Sequence, residues 1–369
     1  MRPHAFERRT ATTVTLRGAE LLAFAGTDYL GFAHHPEVLA ACRRALDEHG
    51  LSPTAARHSS GGSVWHDQCE EALAEFLGVE SALVLGAGWI ADFAAGEAQQ
   101  GSCRAALLDA DAHPSLVTGA RASGADCYDF GPGDLTRAHA LIDRFGDATP
   151  SVWTDGVYPQ IGRMAGLPDL LRVLPNDGTL VVDDSHGIGV TGPGGRGTVT
   201  AFGLVDDRIV QTGSLGKSLG ASGGFVAGSA QKVETIRRRS DVARTSAPPP
   251  PAACAAATKA LDILQAEPAR VDRLHKNTGA LHRIARRLGR EQPGRFLPVL
   301  PLRLPDEATG RAVAAALIGH GLFVPWMRYP GTDGGCLRVA VNAEHSEAQI
   351  SRLASVLGEV LPDGGTSNA

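Results

Sequence analysis

Lys217 is a lysine whose surroundings suggest chemistry. It stands among small residues in QTGSLGKSLGASGG, residues 211–224. A phosphate-binding P-loop reads G-x-x-x-x-G-K-[ST], and its first glycine would fall at position 211, where the chain has Gln211. Gly213 comes two residues too late to complete such a loop. Lys217 is therefore either a solvated lysine in a flexible loop or a reactive amine that its small neighbours leave accessible.

Two aspartates and a histidine follow an apolar run in VVDDSHGIGV, residues 181–190. The run predicts a buried strand, and a carboxylate at its end is costly unless it is paired or hydrogen-bonded. The stretch is also typical of a helix N-cap and turn, because Asp and Ser cap helices well and glycines follow them. Asp183 and His186 are the residues here that could act on a ligand.

The stretch VLGAGWIADFAAG, residues 84–96, resembles a phosphate-binding turn. Gly86, Gly88 and Ala91 form a G-x-G-x-x-A pattern after an apolar run, and Asp109 lies about where a ribose-binding acid is expected in a dinucleotide fold. Free backbone N–H groups at a strand-to-helix turn bind phosphate, whichever cofactor carries it. The turn by itself does not decide between a dinucleotide and another phosphorylated cofactor.

Short apolar runs that end in polar or small residues alternate with amphipathic stretches along the chain. This alternation predicts an α/β fold with a mostly parallel sheet, in which ligands bind beyond the carboxyl ends of the strands. His113 follows one such run, although a lone histidine is more often structural than catalytic. The candidate strands are 81–88, 105–111, 151–158, 178–187 and 208–214. The candidate helices are 66–78, in which Cys69, Leu73, Phe76 and Leu77 share a face, 168–175 and 251–265.

Composition limits the class of protein. The chain has 369 residues, of which 43% are hydrophobic and 20% charged, and its formal net charge is −5, which argues against a nucleic-acid binder. The six scattered cysteines form no C-x-x-C pair, a pattern that suits reduced thiols in a cytoplasmic protein better than disulfides or a metal site. No secretory signal and no apolar run of about 18 residues is found, so no membrane partner is expected.

The candidate residues together suit pyridoxal 5′-phosphate (PLP). They comprise a phosphate-binding turn, a histidine after one strand, an Asp-x-x-His after another and a glycine-flanked lysine after a third. The PLP aldehyde forms a Schiff base with a lysine, and an aspartate commonly pairs with its pyridinium nitrogen. That carboxylate keeps the nitrogen protonated, so that the ring can accept the electrons of a carbanion.

Two stretches resemble the α-oxoamine synthases, which are PLP enzymes of the fold-type I, aspartate-aminotransferase-like class. They are TGSLGKSLGASGGFV (212–226) and VDDSHGIGVTGPGGRG (182–197), and the resemblance extends over 26–38, 56–78 and 336–346. It implies a mostly parallel large-domain sheet and a smaller α+β C-terminal domain. The expected division is an N-terminal segment 1–45, a PLP-binding domain 46–265, a small domain 266–361 and a disordered tail 362–369.

The resemblance assigns four residues to the cofactor ring. Lys217 corresponds to the Schiff-base lysine and Asp183 to the partner of the pyridinium nitrogen. His113 corresponds to the histidine that stacks on the ring, and His186 to the one near its phenolic oxygen. These four are the expected catalytic residues.

The resemblance also assigns the phosphate and substrate contacts. The backbone amides of Gly88 and Trp89 and the hydroxyl of Ser214 correspond to the phosphate site. Thr245 corresponds to a phosphate contact from a second subunit, which implies a homodimer. Arg338 corresponds to the arginine that binds the carboxylate of the amino acid, for which a guanidinium is well shaped.

The implied reaction joins a small amino acid (glycine, alanine or serine) to an acyl thioester of coenzyme A or a carrier protein, with loss of CO₂. It gives an α-amino ketone, as in biotin-type synthesis or specialised metabolism. A PLP aminotransferase or lyase would share Lys217, Asp183 and Arg338, but would need no thioester. An NAD-dependent dehydrogenase would leave Lys217 and Asp183 unexplained.

Four features depart from the family pattern. YPQIG (158–162) replaces the usual SMDG, and Ala112 replaces an Asn before the stacking histidine. Asp184 and Ser185 stand where Glu and Ala are usual, and the N-terminal segment is short. Three of these departures concern the substrate side, so they leave the acyl donor open while the PLP chemistry is unaffected.

Overall fold

The computed structural model describes residues 4–145, 149–290, 297–328 and 335–362. The chain divides into two compact units. The larger unit comprises 35–158 and 164–268, and the smaller unit comprises 1–34, 159–163 and 269–369.

The secondary structure alternates strands and helices through most of the chain. The strands are β1 (Arg8–Arg9), β2 (Thr13–Leu16), β3 (Ala19–Ala23), β4 (Ser81–Leu85), β5 (Ala105–Asp109), β6 (Asp126–Phe130), β7 (Pro150–Asp155), β8 (Val157–Tyr158), β9 (Arg163–Met164), β10 (Thr179–Asp183), β11 (Ile209–Ser214), β12 (Gly224–Gly228), β13 (Val299–Arg303), β14 (Leu322–Phe323), β15 (Trp326–Met327) and β16 (Cys336–Ala340). The helices are α1 (Pro36–His49), α2 (Val64–Leu77), α3 (Gly88–Glu97), α4 (Pro114–Ala122), α5 (Leu135–Phe145), α6 (Leu167–Val173), α7 (Thr198–Ala201), α8 (Ala230–Arg239), α9 (Asp241–Thr245), α10 (Pro251–Ala266), α11 (Ala269–Arg287), α12 (Glu307–Gly319) and α13 (Glu347–Val360).

The larger unit is built on a seven-stranded sheet in the order β4-β12-β11-β10-β7-β5-β6. Strands β11, β10, β7, β5 and β6 pair in parallel, whereas β12 runs antiparallel to both β4 and β11. Strands such as β10 and β5 are buried along their whole length, which explains why they read as continuous apolar runs rather than as alternating patterns. The expected mostly parallel sheet and its predicted strands are confirmed.

Helices α3 and α4 cross with their backbones in close contact. A Cβ added at Gly96 would lie 1.8 Å from the carbonyl oxygen of Gly119, and one at Gly119 would lie 2.5 Å from the carbonyl oxygen of Asp92. Only glycine leaves room for this approach. Both helices pack on the sheet through a core that includes Leu116 and Trp153.

Helix α2 buries Cys69, Leu73, Phe76 and Leu77, as its periodicity predicts, and begins two residues before the expected start at 66. It packs against α10, whose first helical residue is Pro251. A proline at this position lacks only an N–H that the first turn would leave unbonded.

The smaller unit contains two sheets, in the orders β1-β2-β3-β14 and β13-β16-β15. Helices α11, α12 and α13 share a core with these strands that includes Leu281, Val339 and Leu353. The N-terminal strands thus belong with the C-terminal residues. The expected segment 1–45 is divided differently here, because α1 lies in the larger unit and crosses residues 45 and 46.

Three expectations concern the C-terminal tail, membrane spans and the cysteines. Apart from Pro362, the expected tail 362–369 lies outside the described residues. Among the helices that the structure describes, none is long and apolar enough to cross a membrane. All six cysteines are free thiols, four of them buried.

Candidate active site

The carboxyl ends of the central strands bring the candidate residues of the larger unit to one edge of the sheet. Asp183 at the end of β10 pairs in register with Asp155 of β7 and Thr212 of β11. Further along the same edge, Ser214 of β11 pairs with Gly224 of β12, and Gly224 pairs with Leu85 of β4. The turn after β4 and the loop after β11 are therefore neighbours.

Lys217 lies in a tightly closed loop after β11. Backbone N–H groups close this loop: Leu215 donates to Gly223 O at 3.0 Å, Ala221 to Leu215 O at 2.9 Å and Gly220 to Lys217 O at 2.9 Å. The Lys217 side chain is half-buried. Burial lowers the pKa of His113, and the Lys217 charge acts in the same direction. The same charge opposes the rise in pKa that burial causes at two aspartates described below. The lysine thus faces titratable groups, which argues against the solvated-loop interpretation.

Asp183 and Asp184 point to different surroundings although they are adjacent. Asp183 is 7% exposed, and its Oδ1 accepts the backbone N–H of Ser185 at 2.9 Å. Asp184 is fully buried and accepts three hydrogen bonds, from Thr198 N at 2.6 Å, Thr198 Oγ1 at 2.6 Å and Gln211 Nε2 at 2.8 Å. Burial raises the pKa of Asp184 to about 6, against the opposing effect of these donors. Asp184 therefore fastens the loop, and Asp183 is the carboxylate left for a ligand.

His113 is the N-cap of helix α4. Its backbone N–H donates to Asp155 Oδ2 at 2.7 Å, and its ring meets that of Trp89 edge-on, with centroids 5.7 Å apart. Burial lowers the pKa of His113, while the Asp183 carboxylate acts in the opposite direction. His113 remains exposed to solvent, and with its lowered pKa it is a neutral imidazole near Asp183. His186 follows Asp183 by three residues and is half-buried.

The turn before helix α3 has the features of a phosphate site. The N-cap residue Ala87 provides no side-chain cap, and the first turn holds no acidic residue. A Cβ at Gly88 would lie 3.2 Å from Ser214 Cβ, and one at Gly224 would lie 2.3 Å from the carbonyl carbon of Ala87. Glycines at these positions let the turn lie directly against the end of β11, so that the first residues of α3 lie next to Ser214. This turn fits an anion.

Sequence reasoning missed Asp92 and Asp155. Asp92 lies on α3 one residue after the G-x-G-x-x-A pattern, and Asp155 ends strand β7. Both are buried, and burial followed by the neighbouring Asp183 charge raises the pKa of each well above its usual range. Asp155 carried a visible signal, since it is an acidic residue inside the predicted strand 151–158, whereas a polar residue inside a helix gave none.

Arg338 lies in the smaller unit. It is 6% exposed on β16, where Nη1 donates to Gly26 O at 2.8 Å and Nη2 to Tyr29 OH at 3.2 Å. Thr245 ends helix α9 in the larger unit, and its exposed side chain donates to Asp241 O at 2.7 Å.

Asp109 has a structural role in place of the ribose-binding role considered above. Its carboxylate accepts the backbone N–H groups of Asp111 at 3.1 Å and Gly133 at 3.4 Å, and so holds the loop after β5. In the described part of the chain, no group of three or more His, Cys, Asp or Glu residues could hold a metal ion.

Comparisons with known proteins agree with this geometry. The family model described as aminotransferase class I and II matches residues 19–357. Among curated proteins, 8-amino-7-oxononanoate synthase of Pseudomonas syringae pv. syringae (strain B728a) is 36% identical over 95% of this chain and 89% of its own length. The enzyme of the same name from Cellvibrio japonicus (strain Ueda107) is 36% identical over 93% of this chain and 87% of its own length.

Solved structures give the same result. Serine palmitoyltransferase from S. paucimobilis, a lysine-to-alanine variant with a bound PLP–myriocin aldimine, matches with a TM-score of 0.92 and 27% identity, over 97% of this chain and 92% of that one. Sphingomonas wittichii serine palmitoyltransferase matches with a TM-score of 0.91 and 28% identity, over 97% and 91%. 8-Amino-7-oxononanoate synthase from Francisella tularensis shares the fold, with a TM-score of 0.78.

Proposed function

Since this chain belongs to the aminotransferase class I and II family, as a PLP-dependent acyltransferase of the α-oxoamine synthase group with the fold-type I architecture, we propose that it condenses a small amino acid with an acyl thioester. The new bond joins the amino acid's Cα to the thioester carbonyl carbon. The thiol and CO₂ leave, and the product is an α-amino ketone.

The observation that carries this proposal is the setting of Lys217. Its charge acts on His113, which also lies within the influence of the Asp183 charge and whose backbone N–H donates to Asp155 Oδ2. These residues come from the ends of the four neighbouring parallel strands β11, β10, β7 and β5 and the loops that follow them. A primary amine, a neutral imidazole and a buried carboxylate at one sheet edge, next to an anion-binding turn, are what PLP requires.

Each residue of the larger unit has a proposed task toward the cofactor. Lys217 Nζ would hold PLP through its aldehyde carbon, and the same amine is the base that would take the proton from Cα of the amino acid. Asp183 would accept a hydrogen bond from the pyridinium nitrogen and so favour its protonated form. When bound, PLP supplies the electron sink that stabilises negative charge at Cα. His113 and His186 would position the cofactor and the thioester.

The phosphate and substrate contacts follow from the anion-binding turn and the family resemblance. The N–H groups of Gly88 and Trp89 and the hydroxyl of Ser214 bind the phosphate. Thr245 adds a contact from a second subunit, so the proposal includes a homodimer. Arg338 binds the carboxylate of the amino acid. We place the enzyme in the cytoplasm, in keeping with its unpaired cysteines.

The names of the curated relatives suggest particular substrates. In 8-amino-7-oxononanoate, the amino-bearing carbon and the terminal methyl correspond to alanine, and the remaining carbons correspond to a seven-carbon dicarboxylic acid. Alanine and the monothioester of that acid are therefore the first pair to assay. Tyr158 to Gly162 and Ala112 differ from the family pattern on the substrate side, so glycine, serine and other acyl chains belong in the same screen.

The test is thioester-dependent CO₂ release by the PLP-loaded protein. Glycine, alanine and serine, each labelled with ¹³C in the carboxyl group, are supplied with coenzyme A and carrier-protein thioesters. We expect labelled CO₂ and free thiol in equal amounts for one amino acid, and only when a thioester is present. Amino-group transfer to an oxo acid, or CO₂ release without a thioester, would instead identify an aminotransferase or a lyase and overturn the proposal.

A further inference from the structure

Asp92 and Ser115 lie close to the α3–α4 crossing, and neither has a role in the function proposed above. The two helices touch through Gly96 and Gly119, as described. Asp92 precedes Gly96 by four residues, and Ser115 precedes Gly119 by four. Residues four apart share a helix face, so Asp92 and Ser115 lie one turn from the crossing on the facing sides of the two helices. Asp92 is fully buried and Ser115 is 2% exposed.

The hydrogen bonds around His113 fix the direction in which the Ser115 hydroxyl points. The backbone N–H of Ser115 donates to His113 Nδ1 at 3.3 Å, so Nδ1 carries no proton. Ser115 Oγ lies 2.7 Å from the same nitrogen and must therefore donate its only proton to it. Ser115 Oγ is left with lone pairs alone, and it can only accept from a further neighbour.

The carboxyl of Asp92, next to Ser115, has one oxygen that lacks a hydrogen bond. Its Oδ1 accepts from Thr212 Oγ1 at 2.6 Å, whereas its Oδ2 is buried and has no hydrogen bond of ordinary geometry. The Ser115 hydroxyl is close enough to influence the carboxyl. An ionised Oδ2 would face the lone pairs of Ser115 Oγ and repel them, whereas a protonated Oδ2 would donate to them.

The charges around Asp92 favour the protonated form. Burial raises the pKa of Asp92, and the charge of Asp183 raises it further, whereas hydrogen bonding with Ser115 and Thr212 and the charge of Lys217 lower it; the net effect is a pKa well above its usual range. The pKa of Asp155 is raised in the same way, first by burial and then by the charges of Asp183 and of Asp92 itself. One lysine and one neutral histidine cannot compensate three ionised carboxylates at this sheet edge.

We propose that Asp92 is a neutral carboxylic acid that donates its proton to Ser115 Oγ, and that this bond keeps Ser115 donating to His113 Nδ1. His113 is thereby held neutral, with its proton on Nε2. Asp92 is thus a positioning residue for His113. The inference rests on the proposed function only for the task of His113 toward the cofactor, since the proton positions follow from the contacts of this chain.

The first test is infrared spectroscopy of the PLP-loaded protein, labelled with ¹³C in the aspartate side-chain carboxyls, at about pH 8. A protonated carboxyl has a C=O stretch that a carboxylate lacks. We expect Asp92→Asn to remove one such band. Asp184→Asn is the matched control, because a second buried aspartate with a pKa of about 6 is ionised at this pH and contributes no such band. A spectrum of Asp92→Asn that loses no acid band would overturn the proposal.

The Ser115→Ala variant tests the link without altering Asp92. The acid band should persist and move to higher frequency, because the carboxyl has lost its hydrogen-bond acceptor. Loss of the band or an unchanged frequency would show that Asp92 does not donate to Ser115.

The second test is the titration of His113, followed by ¹⁵N NMR of histidine-labelled protein and assigned with His113→Gln. Asn has the shape and the zero charge of a protonated Asp, so Asp92→Asn should keep the proton of His113 on Nε2 and leave its pKa unchanged. If Asp92 were ionised, Asn would remove a negative charge and lower the pKa of His113 by about 1 or more. Both tests are made without amino acid or thioester, so their outcome is independent of whether the proposed condensation occurs.

Discussion

Asp155 Oδ2 accepts the backbone N–H of His113 at 2.7 Å and so ties the end of strand β7 to the N-cap of helix α4. This bond sets His113 beside Asp183, since Asp155 and Asp183 are register partners on neighbouring strands. The orientation of the His113 imidazole therefore depends on Asp155, a carboxylate that has no contact with the substrate in the proposed mechanism.

Lys217→Ala should abolish covalent PLP binding. The visible absorption of the bound cofactor should disappear, and borohydride treatment should fix no PLP to the protein. Lys232→Ala is the matched control, because Lys232 is also half-buried but donates to Thr179 Oγ1 at 2.6 Å at the other end of β10. This control should retain covalent PLP; equal labelling of both variants would remove Lys217 from the mechanism.

Asp183→Asn and Asp184→Asn should affect different properties, the first catalysis and the second stability. Asp183→Asn should lower kcat by about 100-fold or more, because a neutral amide cannot hold a proton on the ring nitrogen, and should leave the unfolding midpoint unchanged. Asp184→Asn should lower the free energy of unfolding by about 1–3 kcal/mol, since its amide group would face the three donors that now bind a carboxylate. Urea denaturation and steady-state kinetics of both variants decide between these roles.

Gly88→Ala should weaken PLP binding by about 10-fold, equivalent to about 1.4 kcal/mol. The added Cβ would lie 3.2 Å from Ser214 Cβ and 3.4 Å from Gly213 O, which pushes the turn away from the end of β11. Gly358→Ala is the control, because nothing lies within 4 Å of that position on α13 and alanine there favours the helix. Equilibrium dialysis of PLP against both variants measures the difference, and equal affinities would remove the turn from the phosphate site.

Mixed dimers should reveal whether Thr245 serves the other subunit. Thr245→Val alone should weaken PLP binding, and Lys217→Ala alone should be inactive. A dimer of one subunit of each kind would contain one site with both Lys217 and Thr245 intact, and that site should regain the wild-type PLP affinity. Titrating PLP into the mixture gives the result; a mixture that behaves as the sum of its parents would place Thr245 outside the shared site.

His345 should make the smaller unit less stable in acid. Burial lowers the pKa of His345 to about 4, and the ring stacks on Phe24 with its Nδ1 accepting from Asn342 N. Between this pKa and the unfolded value of about 6.5, the unfolded chain binds more protons, so stability is lost as the pH falls. Relative to His345→Gln, the wild type should lose about 2 kcal/mol of unfolding free energy between pH 7 and pH 5, measured with urea. A constant difference between the two proteins would contradict the assignment.

Strand positions and the residues that follow them were readable from the sequence because buried parallel strands are continuous apolar runs with polar ends. Lys217, Asp183 and His113 were found on this basis, and the family resemblance added their expected tasks. No single stretch decided the role of its residue; the candidates became informative only when they were considered together.

The division of labour between Asp183 and Asp184 depended on the tertiary structure, because their donors Thr198 and Gln211 come from elsewhere in the chain. The same holds for Asp92 on α3, whose partners Thr212 and Ser115 lie on another strand and another helix. It also holds for the N-terminal strand β3, which pairs with β14 more than 290 residues later in the chain. Sequence determines which groups are available at each strand end, whereas protonation and hydrogen-bond direction depend on burial and on distant neighbours that only the folded chain brings together.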